Sequence, residues 1–170
     1  MQKHVIITTI SGLLLCSVLT ASSAESADMT GSLDGEFREW YVLSQGSDSN
    51  ASFVEVGDRL QIDITGFADP YTWDAREALA MSFIIEHDAL MDAEVVHLIS
   101  STAIPPLYTS DGGDVTVSLS HIERNGPLIH IMGRIEGDLV LQEKLGAAPN
   151  PEEGISLDIQ FDVEARKVEF

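Results

Sequence analysis

Between Ile155 and Val163 every odd-numbered residue is apolar and every even-numbered one polar: Ile-Ser-Leu-Asp-Ile-Gln-Phe-Asp-Val. A period of two fits a strand with one buried face, whereas a helix would carry those apolar residues all round its circumference. The alternation predicts an antiparallel strand with Leu157, Ile159 and Phe161 inside and Asp158 and Asp162 outside, because a slip of one residue would exchange the two faces. Ile129, Ile131, Ile135, Leu139 and Leu141 alternate in the same way. Gly133 and Gly137 share their inward face, and His130, Met132, Arg134, Glu136 and Asp138 point outward. Glycines on the core face of a long strand predict bends or bulges where a second layer passes close by.

Further strands follow from turn chemistry. Met29–Leu33 and Phe37–Leu43 flank Asp34-Gly35, a pair suited to a two-residue type I′ hairpin. Ala51–Val56 and Arg59–Thr65 flank Gly57-Asp58, and Leu79–Glu86, Glu94–Ser100 and Val115–Ile122 complete the set. Strands recurring at intervals of about ten residues predict an all-β fold, an antiparallel two-layer β-sandwich of about 8–10 strands, with a flattened β-barrel as the alternative. Little helix is expected. Asp69 as N-cap with Pro70 behind it predicts one helical turn toward Ala78, and Asp88–Ala93 a second.

The N-terminus changes the picture from fold to compartment. Lys3 and His4 precede an apolar run from Val5 to Leu19, and Ser22 and Ala24 supply the small residues of a cleavage site. Residues 1–24 therefore read as a signal peptide, which leaves 25–170 as a single β-sandwich domain that is periplasmic or secreted, with no transmembrane anchor after cleavage. Leu15 before Cys16 does not suit a lipoprotein signal. Cys16 is the one cysteine, so the processed chain has no disulfide, thiol nucleophile or thiolate metal site. The formal net charge of −19 repels nucleic acid, which is excluded as a partner, and favours cations.

Leu33-Asp-Gly…Trp40, the late Gly133-x-x-x-Gly137-x-Leu139 strand and the closing Phe161-x-Val163 together resemble small exported bacterial β-sandwich proteins of unassigned activity. The resemblance implies a fold for most of the processed chain and carries over no catalytic residue.

Candidate chemistry is sparse. Of His87, His97, His121 and His130, the last shares an outer strand face with Met132, and His87-Asp88 sits near Met91 and Asp92 beside a turn. Imidazole and thioether are ligands for zinc or copper, which makes His130, Met132, His87 and Asp88 the candidate metal ligands, although no His-x-His or His-x-x-x-His spacing occurs. Asp111-Gly-Gly-Asp114 offers carboxylates suited to calcium but lacks EF-hand spacing and reads as a hairpin turn. Phe67, Tyr71 and Trp73 lie in one loop beside acidic residues. They are the candidate ligand-binding aromatics if exposed, with Phe67 and Trp73 expected to plug one end of the sandwich. The chain has no nucleophile elbow, phosphate loop or zincin helix, so no catalytic residue is assigned. The expectation is a non-catalytic exported protein that binds a protein, glycan or small ligand in the cell envelope or outside, without a cofactor. The alternatives are an envelope metal-binding protein for copper, zinc or calcium and, further off, a cryptic hydrolase.

Overall fold

The computed structural model describes residues 26–168, so the signal segment 1–24 lies outside the described residues. The fold is all-β. Eleven strands run β1 Met29–Leu33, β2 Glu36–Trp40, β3 Ser44–Gln45, β4 Asp48–Ser49, β5 Ala51–Val56, β6 Arg59–Gly66, β7 Leu79–Glu86, β8 Ala89–Leu98, β9 Leu107–Asn125, β10 Leu128–Gln142 and β11 Asn150–Lys167. Nine form one large sheet in the order β10-β9-β8-β7-β6-β5-β11-β1-β2, and β3 and β4 form a separate hairpin.

The sheet curls on itself. β10 pairs with β9 on one edge and with β11 on the other, and a short parallel pairing of Arg166 and Lys167 with Ser52 and Phe53 joins β11 to β5. Seven strands thereby close into a ring, while β1 takes the remaining edge of β11 opposite residues 157–161. A single bridge between Tyr41 and Phe67 ties the β1–β2 hairpin back to the end of β6. The result lies between the sandwich and the flattened barrel, with one apolar interior shared by Phe53, Ile62, Phe83, Ile129, Ile131, Ile159 and their neighbours.

Local sequence explains most of these elements. Asp34 and Gly35 both have positive φ, 51° and 78°, as a type I′ turn requires. In β11, Leu157, Ile159, Phe161 and Val163 are buried and Asp158 and Asp162 exposed. Phe161 lies across from Gly133 on β10 and stacks on Phe83 of β7 at 5.6 Å between ring centroids, so the missing side chain at Gly133 is the seat of the ring.

Four expectations need correction. Residues 69–78 contain no helical turn: they make short turns at 70–71 and 76–77 joined by irregular backbone, and the Asp69 carboxylate closes the first by accepting from the Tyr71 N–H at 2.8 Å. Asp88–Ala93 is not helical either. His87 and Asp88 form the tip of the β7–β8 hairpin with φ of 51° and 61°, and β8 starts at Ala89. Asp111-Gly-Gly-Asp114 is no hairpin turn: it lies within β9, where the chain bulges between Thr109, paired with Val140, and Asp114, paired with Asp138. Leu141 is only half-buried. A register shift between Val140 and Leu141 against β11 lets Val140 take the buried place.

Candidate metal centre

The hairpin of β9 and β10 turns at Gly126-Pro127, which lie between the paired residues Asn125 and Leu128. Close to this turn Glu123 stands opposite His130 and His121 opposite Met132. On the other flank of β10, β11 sets Glu164 opposite His130 and Asp162 opposite Met132. Directly opposed residues share a face, so all six side chains belong to one patch on the outside of the sheet.

Within that patch His130 leans toward the Met132 row. Its Nε2 lies 2.6 Å from Asp162 Oδ1, and its ring meets that of His121 edge-on at 5.3 Å between centroids. His121 Nε2 in turn lies 3.4 Å from Glu123 Oε2. One ligand atom from each of His121, Glu123 and His130 lies within 4.8 Å of the other two, and no other trio of His, Cys, Asp or Glu among the described residues does the same. An ion bound while Nε2 keeps its Asp162 partner would take Nδ1, the other ring nitrogen. A carboxylate on the far nitrogen is how proteins fix the tautomer and orientation of a metal-ligating imidazole.

Atoms bound tetrahedrally to one zinc at about 2.0–2.2 Å stand roughly 3.3–3.6 Å apart. The His121–Glu123 pair at 3.4 Å already meets this spacing, and the other separations, none above 4.8 Å, need close by no more than about 1.5 Å, a movement that partly exposed side chains make by rotating about χ1 and χ2. Two imidazoles and a carboxylate form a donor set for zinc or copper(II), with the remaining coordination positions open to water.

His121 and Glu123 reach this face through a bulge. Upstream, the half-buried odd-numbered residues Val115, Val117 and Leu119 face the core. Leu119 pairs with Gly133 and His121 with Met132, so Ser120 is one residue more than β10 can match. The extra residue shifts the alternation, after which Ile122 packs inward and His121 and Glu123 point out. Strict alternation from Val115 would have put His121 in the core. The available signal was the pair His121-x-Glu123 and His130-x-Met132, placed symmetrically about Gly126-Pro127.

The remaining candidates do not converge on this centre. His87 and Asp88 sit at the exposed tip of another hairpin, where Asp88 lies 4.0 Å from Arg124 and no third ligand gathers with them. Asp111 and Asp114 belong to no such group either. Phe67 is buried with Leu43, Ala78, Leu98 and Leu107 and closes a second apolar cluster. Trp73 lies 6.1 Å from its ring yet is 51% exposed, and Tyr71 is 80% exposed, so Phe67 is the plug and the other two aromatics border a surface groove with Ser44 and Gln45.

His97 is a buried titratable group that no spacing in the sequence sets apart from the other histidines. His97 of β8 faces the interior, stacked near Tyr108, with Nε2 3.7 Å from Glu77 Oε2 and Nδ1 without a hydrogen-bond partner. Glu77 is held with φ of 62° while its carbonyl accepts from Trp40 Nε1 at 2.8 Å. Burial pushes the His97 imidazole below its ordinary value of 6.5 and outweighs the pull of Glu77 in the other direction. The unfolded chain therefore binds this proton more readily than the native one. The stability due to a neutral His97 is present above pH 6.5 and is lost as pH falls below that value toward the depressed native value. Urea midpoints measured from pH 7.5 downward should fall through this window, and His97→Leu should flatten that part of the profile; an equally steep profile in the variant would clear His97 of the effect.

The sequence matches no protein-family model and no curated protein, and no solved structure matches the fold.

Proposed function

We propose that this chain is an exported, non-catalytic binding protein whose ligand is a transition-metal ion, zinc or copper(II), held by His121, Glu123 and His130. The observation that carries the reading is the mutual 4.8 Å approach of three ligand atoms from two strands of one hairpin. The chemistry of the surroundings supports it. Asp162 is placed to orient His130, Glu164 adds a further carboxylate beside it, and a chain of net charge −19 draws cations toward its surface. Export, read from the N-terminal 24 residues, would place the site where imidazole and carboxylate must act without thiolate help.

Calorimetric titration of the purified, metal-free protein with zinc and copper(II) tests this. One ion per chain should bind, and the melting temperature should rise, since an ion at 100 times its dissociation constant adds about 2.7 kcal/mol to the native state. His121→Ala and His130→Ala should each weaken binding by about 10–100-fold or more, the range seen even for outer-shell partners. Binding that neither substitution changes, or no saturable binding at micromolar metal, would overturn the reading.

A further inference from the structure

The patch holds one soft ligand that the trio does not use. Met132 stands directly across from His121 on β9 and from Asp162 on β11, and two positions along the same face from His130. Opposed Cβ atoms in an antiparallel pair are about 4.5–5.5 Å apart, within reach of a flexible thioether. Met132 is half-buried and lines a groove of about 490 Å³ together with Ser120 and Asp162. Glu123 borders a different groove of about 410 Å³, shared with His130, Asp162 and Glu164. Neither imidazole lines the first groove and His130 alone lines the second, so it is the register that sets Met132 beside His121, and the thioether must turn about its side-chain torsions to meet an ion held by the two rings.

These neighbours suit different ions. Thioether sulfur is soft and selects copper(I), carboxylate oxygen is hard and suits divalent ions, and imidazole serves both. A site built for zinc alone has no use for the sulfur. The geometry points to copper as the ion, taken in both oxidation states: copper(II) by His121, His130 and Glu123, and copper(I) by the same histidines with Met132. The inference rests on the metal-binding reading above and adds the identity of the ion and a fourth ligand. The two states are alternative occupants, each arriving as such, and no electron passes within the site.

Two variants separate the ligand sets, Met132→Leu, which keeps the side-chain volume, and Glu123→Gln. Copper(I) affinity is measured anaerobically by competition with bicinchoninate, and zinc and copper(II) affinities by titration of the same preparations, with melting curves of each metal-free variant alongside. Met132→Leu should weaken copper(I) by about tenfold or more, since a direct ligand counts for at least as much as the outer-shell partners whose loss costs about 10–100-fold, and should leave zinc and copper(II) unchanged. Glu123→Gln should do the reverse. Copper(I) binding that survives Met132→Leu, while zinc and copper(II) still require His121 and His130, would overturn the copper inference and leave the metal-binding reading standing. Absence of binding by all three ions would remove both.

Discussion

Phe161→Ala is expected to lower the unfolding free energy by about 3–5 kcal/mol, the cost of emptying a buried aromatic site. Phe161 is 3% exposed, stacks on Phe83 of β7, and stands between Gly133 of β10 and Met29 of β1. One ring therefore joins four strands that no single hairpin brings together. The upper part of the range is expected, because Gly133 has no side chain to fall into the void. Urea unfolding followed by tryptophan fluorescence measures the change. A loss below about 1 kcal/mol would mean that the interior collapses around the gap. Asp162, which follows Phe161 in β11, hydrogen-bonds His130, so the affinity for the proposed ion, compared between this variant and the parent chain, would report whether core damage reaches the outer face.

Gly137→Ala should be comparably damaging for a different reason. Its φ of 134° lies in territory that side chains avoid, which costs about 1–3 kcal/mol. An added Cβ would also collide with the Asp114 carbonyl oxygen and stand 2.9 Å from Val115 Cα, and overpacking adds about 1–3 kcal/mol. Both obstacles are backbone, so no rotamer change relieves them. The expected sum, about 2–6 kcal/mol, falls on the β9–β10 pairing next to the Asp111–Asp114 bulge. Amide exchange should accelerate first around Val115 and Gly137; uniform acceleration across the sheet would point to global destabilisation without local unzipping.

How much of this could be read from the sequence depended on whether each feature was local. The β11 faces follow from alternation alone, and the Asp34-Gly35 turn from the backbone freedom of its two residues. Ring closure depends on β10 pairing with two strands at once, and no short-range pattern encodes that. At His87-Asp88 both residues adopt positive φ, uncommon for side-chain-bearing residues, so the sequence there carries the signal of a helix start where the chain makes a turn tip. In the site, His130 and Met132 were legible as outward neighbours. His121 and Glu123 were not, because alternation fails at Ser120, and a bulge is a property of the pairing of two strands that neither strand shows by itself. Asp162 is outside, as alternation predicts, but the β10–β11 register sets it opposite Met132, and its hydrogen bond to His130 is a diagonal one that depends on the lean of the imidazole.

The bulge at Ser120 also governs which spacings this architecture holds fixed and which it leaves loose. A chain lacking that one residue would run from Leu119 inward to His121 outward by plain alternation, so both faces would survive the deletion. The distance from the apolar row of Val115, Val117 and Leu119 to the ligands is therefore free by one position. Across the turn there is no such freedom: one residue added or lost between Glu123 and His130 would slide the two arms past each other and separate the imidazoles. The unit that defines this patch across sequences is thus the twelve-residue span His121–Met132, read as a block with its gaps frozen, and what precedes it need not align.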